Sequence, residues 1–197
     1  MMLIEETAIA EDSLPLEALK RHLRLGTGFA VDGIEDPVLA SFLRAALAAA
    51  EARTGKTILS RGFVLTLGDW TDPEGQPLGT APVRAITQVT LIDRFGTADL
   101  VAAERYRLER DSQLPRLRPT ASLLPSVPTG GAVEIRFVAG YADHFEDVPA
   151  DLAQAVLLLA AHYYEYRDET ALGQGCMPFG VTSLLARYRV ARIGFAS

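Results

Sequence analysis

The sequence is poor in cysteine and lysine and has no long apolar run. Cysteine occurs once, at Cys176, and lysine only at Lys20 and Lys56. A single cysteine excludes an internal disulfide framework and favours a reducing compartment. No apolar run reaches the roughly 20 residues that a membrane helix needs. The acidic start also lacks the basic-then-apolar order of a signal peptide. These absences predict a protein without internal disulfides, membrane spans or a secretory signal.

The charge is acidic overall and unevenly distributed. Nineteen basic residues oppose 25 acidic ones in 197 residues, a formal net charge of −6. This balance argues against a chain whose task is to grip nucleic-acid phosphates. Residues 1–19 carry five acidic side chains and no basic one, whereas residues 171–197 carry Arg187, Arg189 and Arg192 and no acidic one. The C-terminal segment therefore differs in charge from everything before it.

Two long helices are predicted from the spacing of apolar residues. The first covers about residues 37–54, with Asp36 as N-cap, Pro37 at the first helical position and Gly55 as the stop. The second begins at Pro149 and is apolar on nearly every side, which is typical of a buried central helix.

Shorter helical segments are predicted near both ends of the chain. Pro15–Leu25 has leucines at an amphipathic helical spacing. A last helix is predicted to begin with Thr182 or Ser183 as its cap, with Leu184, Tyr188 and Ala191 on one face.

The middle of the sequence changes to the two-residue alternation of β-strands. Five strands separated by turn residues are predicted, at residues 61–67, 83–93, 106–108, 114–117 and 133–138. The predicted fold class is α+β, a helical bundle with a small antiparallel sheet inserted between the two long helices and a C-terminal tail. Its segments are an N-terminal arm and bundle helices, the β-region, the central helix and a docking tail, at residues 1–60, 61–140, 141–170 and 171–197.

The candidate catalytic and metal-binding residues form no recognisable motif. His162 and Glu165 have the i, i+3 spacing of a metal pair, but no second pair accompanies them. Cys176 has no base or orienting partner in the sequence around it. The carboxylates Asp143, Glu146, Asp147 and Asp151 could hold calcium, although they fit the electrostatics of a helix start better. The sequence therefore predicts no catalytic residue, no cofactor and no metal.

The informative pattern is an ordered set of segments between residues 15 and 170. Together these segments resemble the head–tail connector (adaptor) family of long-tailed double-stranded DNA phages, which also occurs in prophages and gene transfer agents. The segments are AEARTGK at 50–56, PVRAITQV at 82–89, YRL at 106–108, VAGY at 138–141, and VPADL at 148–152 running into LAAHYYE at 159–165.

The resemblance implies a structural, non-enzymatic role in the neck of a phage-like particle. The family assembles in the bacterial cytoplasm as a dodecameric ring beneath the portal vertex, with the portal protein above it and a stopper or other tail-side protein below. DNA passes through the ring without specific binding. The acidic composition fits such a conduit, and we expect an acidic or neutral lumen and little DNA binding by the isolated chain.

The C-terminal segment lies outside the matching region, so its role is a separate hypothesis. The resemblance implies that this segment reaches towards the portal, and aromatic residues and arginine are enriched at interface hot spots. The alternative is a final helix packed on its own bundle. The predicted portal-binding residues are Phe179, Leu184, Leu185, Arg187, Tyr188, Arg189, Arg192 and Phe195.

Other functions remain open at this stage. A small binding module could recognise a ligand such as a glycan through Trp70 in the β-region. A hydrolase centred on Asp143, Glu146 or His162 lacks a motif. Another neck protein, a stopper or a tail terminator, is the nearest structural alternative.

Overall fold

The computed structural model describes residues 1–24, 35–167 and 177–189. The chain divides into two units, each built from two separate stretches of sequence. The β unit comprises Met1–Ile9 and Leu59–Tyr141, and the helical unit comprises the described parts of Ala10–Ile58 and Ala142–Ser197. The architecture is therefore of the predicted α+β class.

The helical unit contains four described α-helices. Short 3₁₀ turns occur at Glu11–Ser13, Phe145–Asp147 and Ala186–Tyr188. The α-helices are α1 (Leu16–His22), α2 (Asp36–Thr54), α3 (Ala150–Glu165) and α4 (Phe179–Leu185).

The boundaries of α2 confirm the predicted stop and correct the predicted start. Gly55 ends the helix in the left-handed region, at φ 68°, where a glycine has no steric penalty. Asp36 is the first helical residue rather than the N-cap, and Pro37 is the second. The Asp36 carboxylate instead lies 2.7 Å from the Lys20 ammonium of α1. This ion pair uses the side chain that the cap would have needed.

The predicted cap of the last helix is also wrong. α4 begins at Phe179, directly after Pro178, and not at Thr182 or Ser183. The backbone N–H of Thr182 donates to the Pro178 carbonyl at 3.1 Å, so Thr182 already belongs to the first turn.

Helices α2 and α3 pack together along their apolar faces. Leu43 of α2 and Leu152 of α3 are completely buried. At the other end of the contact, the Tyr164 hydroxyl donates to the Glu35 carboxylate at 3.0 Å, and its ring meets Phe42 edge-on. Among the described residues, no helix is both long and apolar enough to cross a membrane.

The β unit contains eight described strands. They are β1 (Met2–Glu5), β2 (Arg61–Leu67), β3 (Gln76–Pro77), β4 (Val83–Ile92), β5 (Ala98–Leu100), β6 (Tyr106–Glu109), β7 (Arg116–Pro119) and β8 (Ala132–Ala139). The strands form two antiparallel sheets, with strand orders β1-β2-β8-β4-β5 and β3-β7-β6. The five predicted strands are present as β2, β4, β6, β7 and β8, whereas β1, β3 and β5 were not predicted.

Alternation along β2 and β8 places one set of side chains in the core of the β unit. Phe63 and Phe137 face each other across the two strands and stack with ring centroids 5.7 Å apart. Trp70 is also in this core, and its indole N–H donates to the Pro125 carbonyl at 2.7 Å. Because the indole is buried and its N–H is used, Trp70 offers no ring face for stacking on a glycan.

The acidic N-terminus is held on the edge of the five-stranded sheet. Glu5 pairs with Arg61 at 2.9 Å, and Glu6 pairs with Arg136. The backbone N–H of Gly62 donates to the Thr7 hydroxyl at 2.8 Å. In chain order β2 to β8 lie between α2 and α3, but β1 precedes α1 and completes the sheet from the other side of the sequence.

Candidate docking site at the C-terminal helix

The described part of the C-terminal segment packs against helix α3 of its own unit. Val181 and Leu185 of α4 are completely buried, and Tyr188 in the following turn is only 7% exposed. These three side chains lie on one face of the segment because they follow helical spacing. They hold the described part of the segment on the helical unit.

Asp151, in the first turn of α3, is the polar anchor of this segment. The Tyr188 hydroxyl donates to Asp151 Oδ1 at 2.6 Å. Arg187 Nε lies 2.8 Å from Asp151 Oδ2, and Arg187 Nη2 donates to the Tyr188 oxygen at 2.6 Å. The carboxylate also stands at a helix N-terminus, where the macrodipole favours negative charge.

The environment of Tyr188 stabilises its neutral form. Burial raises the pKa of the Tyr188 hydroxyl above its usual value, and the hydrogen bond to Asp151 raises it further. Arg187 opposes this shift but does not reverse it. The phenol therefore remains a hydrogen-bond donor to Asp151 at neutral pH.

The predicted portal-binding residues divide between anchored and exposed positions. Leu185 and Tyr188 are internal to the unit, and Arg187 is held at Asp151 although most of its side chain is exposed. Phe179 is 88% exposed. Leu184 is partly buried and Arg189 is exposed, whereas Arg192, Phe195 and Cys176 lie outside the described residues.

Sequence reasoning missed the role of Asp151 in holding the C-terminal segment. The sequence groups Asp151 with Asp143, Glu146 and Asp147, as carboxylates that fit the electrostatics of a helix start better than a calcium site. Its partners Arg187 and Tyr188 are more than 35 positions away, and no local pattern connects them. The one available signal is an acidic side chain in the first turn of α3 and the Arg-Tyr-Arg sequence at residues 187–189.

A cavity of about 370 Å³ lies beside this segment within the helical unit. His162 and Glu165 of α3 line it, together with His22 and the start of α4. The His162 ring packs 4.6 Å from the ring of Tyr166. Within residues 1–24, 35–167 and 177–189, no three His, Cys, Asp or Glu side chains come together to hold a metal.

No family model and no curated protein sequence matches the chain. Solved structures do match it over its full length. A chain from the neck of an empty gene transfer agent (GTA) particle, computed with C6 symmetry, is 47% identical, with a TM-score of 0.90. A chain from the virion of a native GTA particle is also 47% identical, with a TM-score of 0.86. A chain from the neck of a native GTA particle, computed with C12 symmetry, is 42% identical, with a TM-score of 0.84.

Each of these alignments covers 100% of this chain and 99% of the other. Both units and the C-terminal segment are thus included in the likeness, which extends beyond the region that carried the sequence motifs. The chain therefore belongs to the family of head–tail neck proteins found in gene transfer agent particles.

Proposed function

We propose that this chain is the adaptor of a neck, a structural ring that joins the portal vertex of a particle to its tail-side proteins. The observation that carries the proposal is the full-length likeness to GTA neck chains at 47% identity and a TM-score of 0.90. The role is structural rather than enzymatic, and it places the chain at the head–tail interface of a phage-like particle.

The ring is proposed to contain twelve identical copies, with DNA passing through it. The related necks were computed with C6 and C12 symmetry, and a ring of twelve copies is compatible with both symmetries. Twelve copies carry a formal charge of −72, twelve times the −6 of one chain. An acidic lumen repels phosphates and a neutral lumen does not attract them, so that in either case DNA can slide through without being held.

The C-terminal segment is proposed to contact the portal. Val181, Leu185 and Tyr188 hold the segment on helix α3. The exposed Phe179 and Arg189 are then free to face a partner, and the basic segment suits an acidic surface. The inserted β-region and the helical bundle supply the body of the ring, and a stopper or another tail-side protein binds the opposite end.

Electron microscopy of the chain mixed with the portal of its own particle tests the assignment. We expect a ring at the tail-facing end of the portal. A chain that leaves the bare portal empty, and binds only to necks that already contain another ring, would be a stopper and would overturn the adaptor assignment.

Point variants test the portal contact better than a deletion, since residues 178–197 include part of the helical core. Phe179→Ala combined with Arg189→Glu should abolish portal binding while leaving the chain folded. The matched control is Leu123→Ala with Arg105→Glu, also at exposed positions but in the β unit. Equal portal binding by the two double variants would refute the C-terminal contact.

A further inference from the structure

The five-stranded sheet has two open edges within the described part of the chain. β1 and β5 are its outermost strands. Neither strand contains proline or lysine, the residues that commonly protect a sheet edge from pairing. Both instead expose apolar side chains, with Met2 54%, Ile4 47% and Leu100 63% exposed.

The backbone groups that face outward follow from the pairing of each edge strand. Glu6 N–H donates to Gly62 O at 2.8 Å, so the even-numbered residues of β1 bond to β2. The N–H and C=O of Leu3 and Glu5 therefore point away from the sheet.

The same reasoning applies to the other edge. Val101 N–H donates to Val89 O at 2.9 Å, so Asp99 is directed towards β4. The N–H and C=O of Ala98 and Leu100 point outward. Each edge thus presents the N–H and C=O groups of two residues that lie two positions apart in the strand.

We propose that β1 of one copy pairs with β5 of the next copy, so that the sheet continues from subunit to subunit around the ring. This inference rests on the proposed ring. A closed ring of more than two identical copies needs two different, complementary patches on each copy, and the two ends of one sheet supply them. Because all neighbouring strands are antiparallel, the first and fifth run in the same direction, and the new pair is parallel.

One register satisfies the backbone and the side chains together. Leu3 lies opposite Asp99 of the next copy, with its N–H donating to the Ala98 carbonyl and its C=O accepting from the Leu100 N–H. Within one copy Leu3 pairs with Leu65 and Asp99 with Leu91, which both belong to the core-facing side of the sheet. The core-facing side of the sheet in one copy is therefore continuous with the core-facing side in the next copy.

The opposite face of the junction brings the exposed apolar side chains together. In this register Met2 lies beside Ala98 and Ile4 beside Leu100 of the next copy, so that contact removes apolar surface from water. A shift of two residues would instead place Glu5 opposite Asp99, and like charges directly across a strand pair are destabilising.

Disulfide cross-linking of assembled rings tests this register. The variant is Ile4→Cys with Leu100→Cys in a Cys176→Ser background, assembled on the portal and oxidised. Within one copy these positions are separated by four strand spacings, about 19 Å, so the bond can form only between copies. We expect a ladder of multimers on a non-reducing gel. Each single variant should remain monomeric, as should Ile4→Cys with Asp99→Cys, in which the thiols lie on opposite faces.

A charge variant provides an independent measurement. Leu100→Glu should reduce ring formation about tenfold or more, because the carboxylate would enter the apolar side of the junction. Leu123→Glu, at a similarly exposed leucine that lies after β7 and outside both edge strands, should leave ring formation unchanged. The free chain should unfold at the same temperature in both variants.

The outcomes separate this inference from the proposed function. Rings seen by electron microscopy without the Ile4–Leu100 cross-link, or with Leu100→Glu assembling normally, would overturn the strand pairing and leave the ring intact. Absence of rings from the unmodified chain on its portal would overturn the proposed function itself.

Discussion

Tyr188 donates its hydroxyl hydrogen to Asp151 at 2.6 Å, across 37 positions of the sequence. This bond joins the end of the described C-terminal segment to the first turn of α3. The segment is therefore held on α3 by this hydrogen bond, by the ion pair of Arg187 with Asp151, and by the buried side chains of Val181, Leu185 and Tyr188.

Removal of this hydroxyl should weaken the attachment without removing the packing. We expect Tyr188→Phe to lower the free energy of unfolding by about 1–2 kcal/mol, because Asp151 loses a hydrogen bond to a neutral donor. Tyr188→Ala should cost about 3–5 kcal/mol, since a cavity is added. Urea unfolding followed by circular dichroism measures both. An unchanged free energy of unfolding for Tyr188→Phe would contradict the contribution of the hydrogen bond, and equal losses for the two variants would contradict the contribution of ring packing.

The raised pKa of Tyr188 predicts a loss of stability at high pH. A phenol whose folded-state pKa exceeds its unfolded value of 10.0 contributes stability fully below pH 10 and loses it as the pH rises through the folded pKa. Tyr106 and Tyr163 are shifted in the same direction by burial. Melting temperatures between pH 9 and pH 11 should therefore fall less steeply for Tyr188→Phe than for the unmodified chain. Identical slopes would argue against the shift at Tyr188.

Gly140 should tolerate no side chain. Its φ is +142°, and an added Cβ would lie 2.4 Å from the Cα of Ser60. We expect Gly140→Ala to destabilise the chain by about 2 kcal/mol or more, from backbone strain and overpacking combined. Gly68→Ala is the matched control, because an added Cβ there meets nothing within 4 Å. Thermal unfolding of both variants distinguishes a local clash from a general effect of replacing glycine.

The acidic composition predicts that the free chain binds duplex DNA weakly. Fluorescence anisotropy at physiological salt should show no saturable binding at micromolar protein. Tight binding, with a steep dependence on salt, would show that some surface grips phosphates, and the conduit would then need a different explanation.

The parts of the fold that sequence predicted are those set by local chemistry. Gly55 marks the end of α2 because only a residue that tolerates positive φ fits there. The strands β2 and β8 were predictable because strict alternation separates Phe63 and Phe137 from their polar neighbours.

The missed parts depend on partners far away in the chain. β1 is only four residues long, and it becomes a strand because β2, about 60 positions later, accepts its backbone bonds. Aspartate is a residue type that often caps a helix N-terminus, but the Asp36 carboxylate pairs with the Lys20 ammonium instead. The partners of Asp151 are Arg187 and Tyr188, which reach its carboxylate only because α4 and the turn after it pack on α3.

The two interleaved units have a consequence for synthesis. The ion pair of Glu6 cannot form until Arg136 has left the ribosome. Among the described residues of the helical unit, Tyr188 is the last buried side chain to be synthesised. Long-range contacts of this kind fold late and slowly. The β unit therefore cannot be completed before Tyr141 has been synthesised, and the helical unit cannot be completed before Tyr188 has been synthesised.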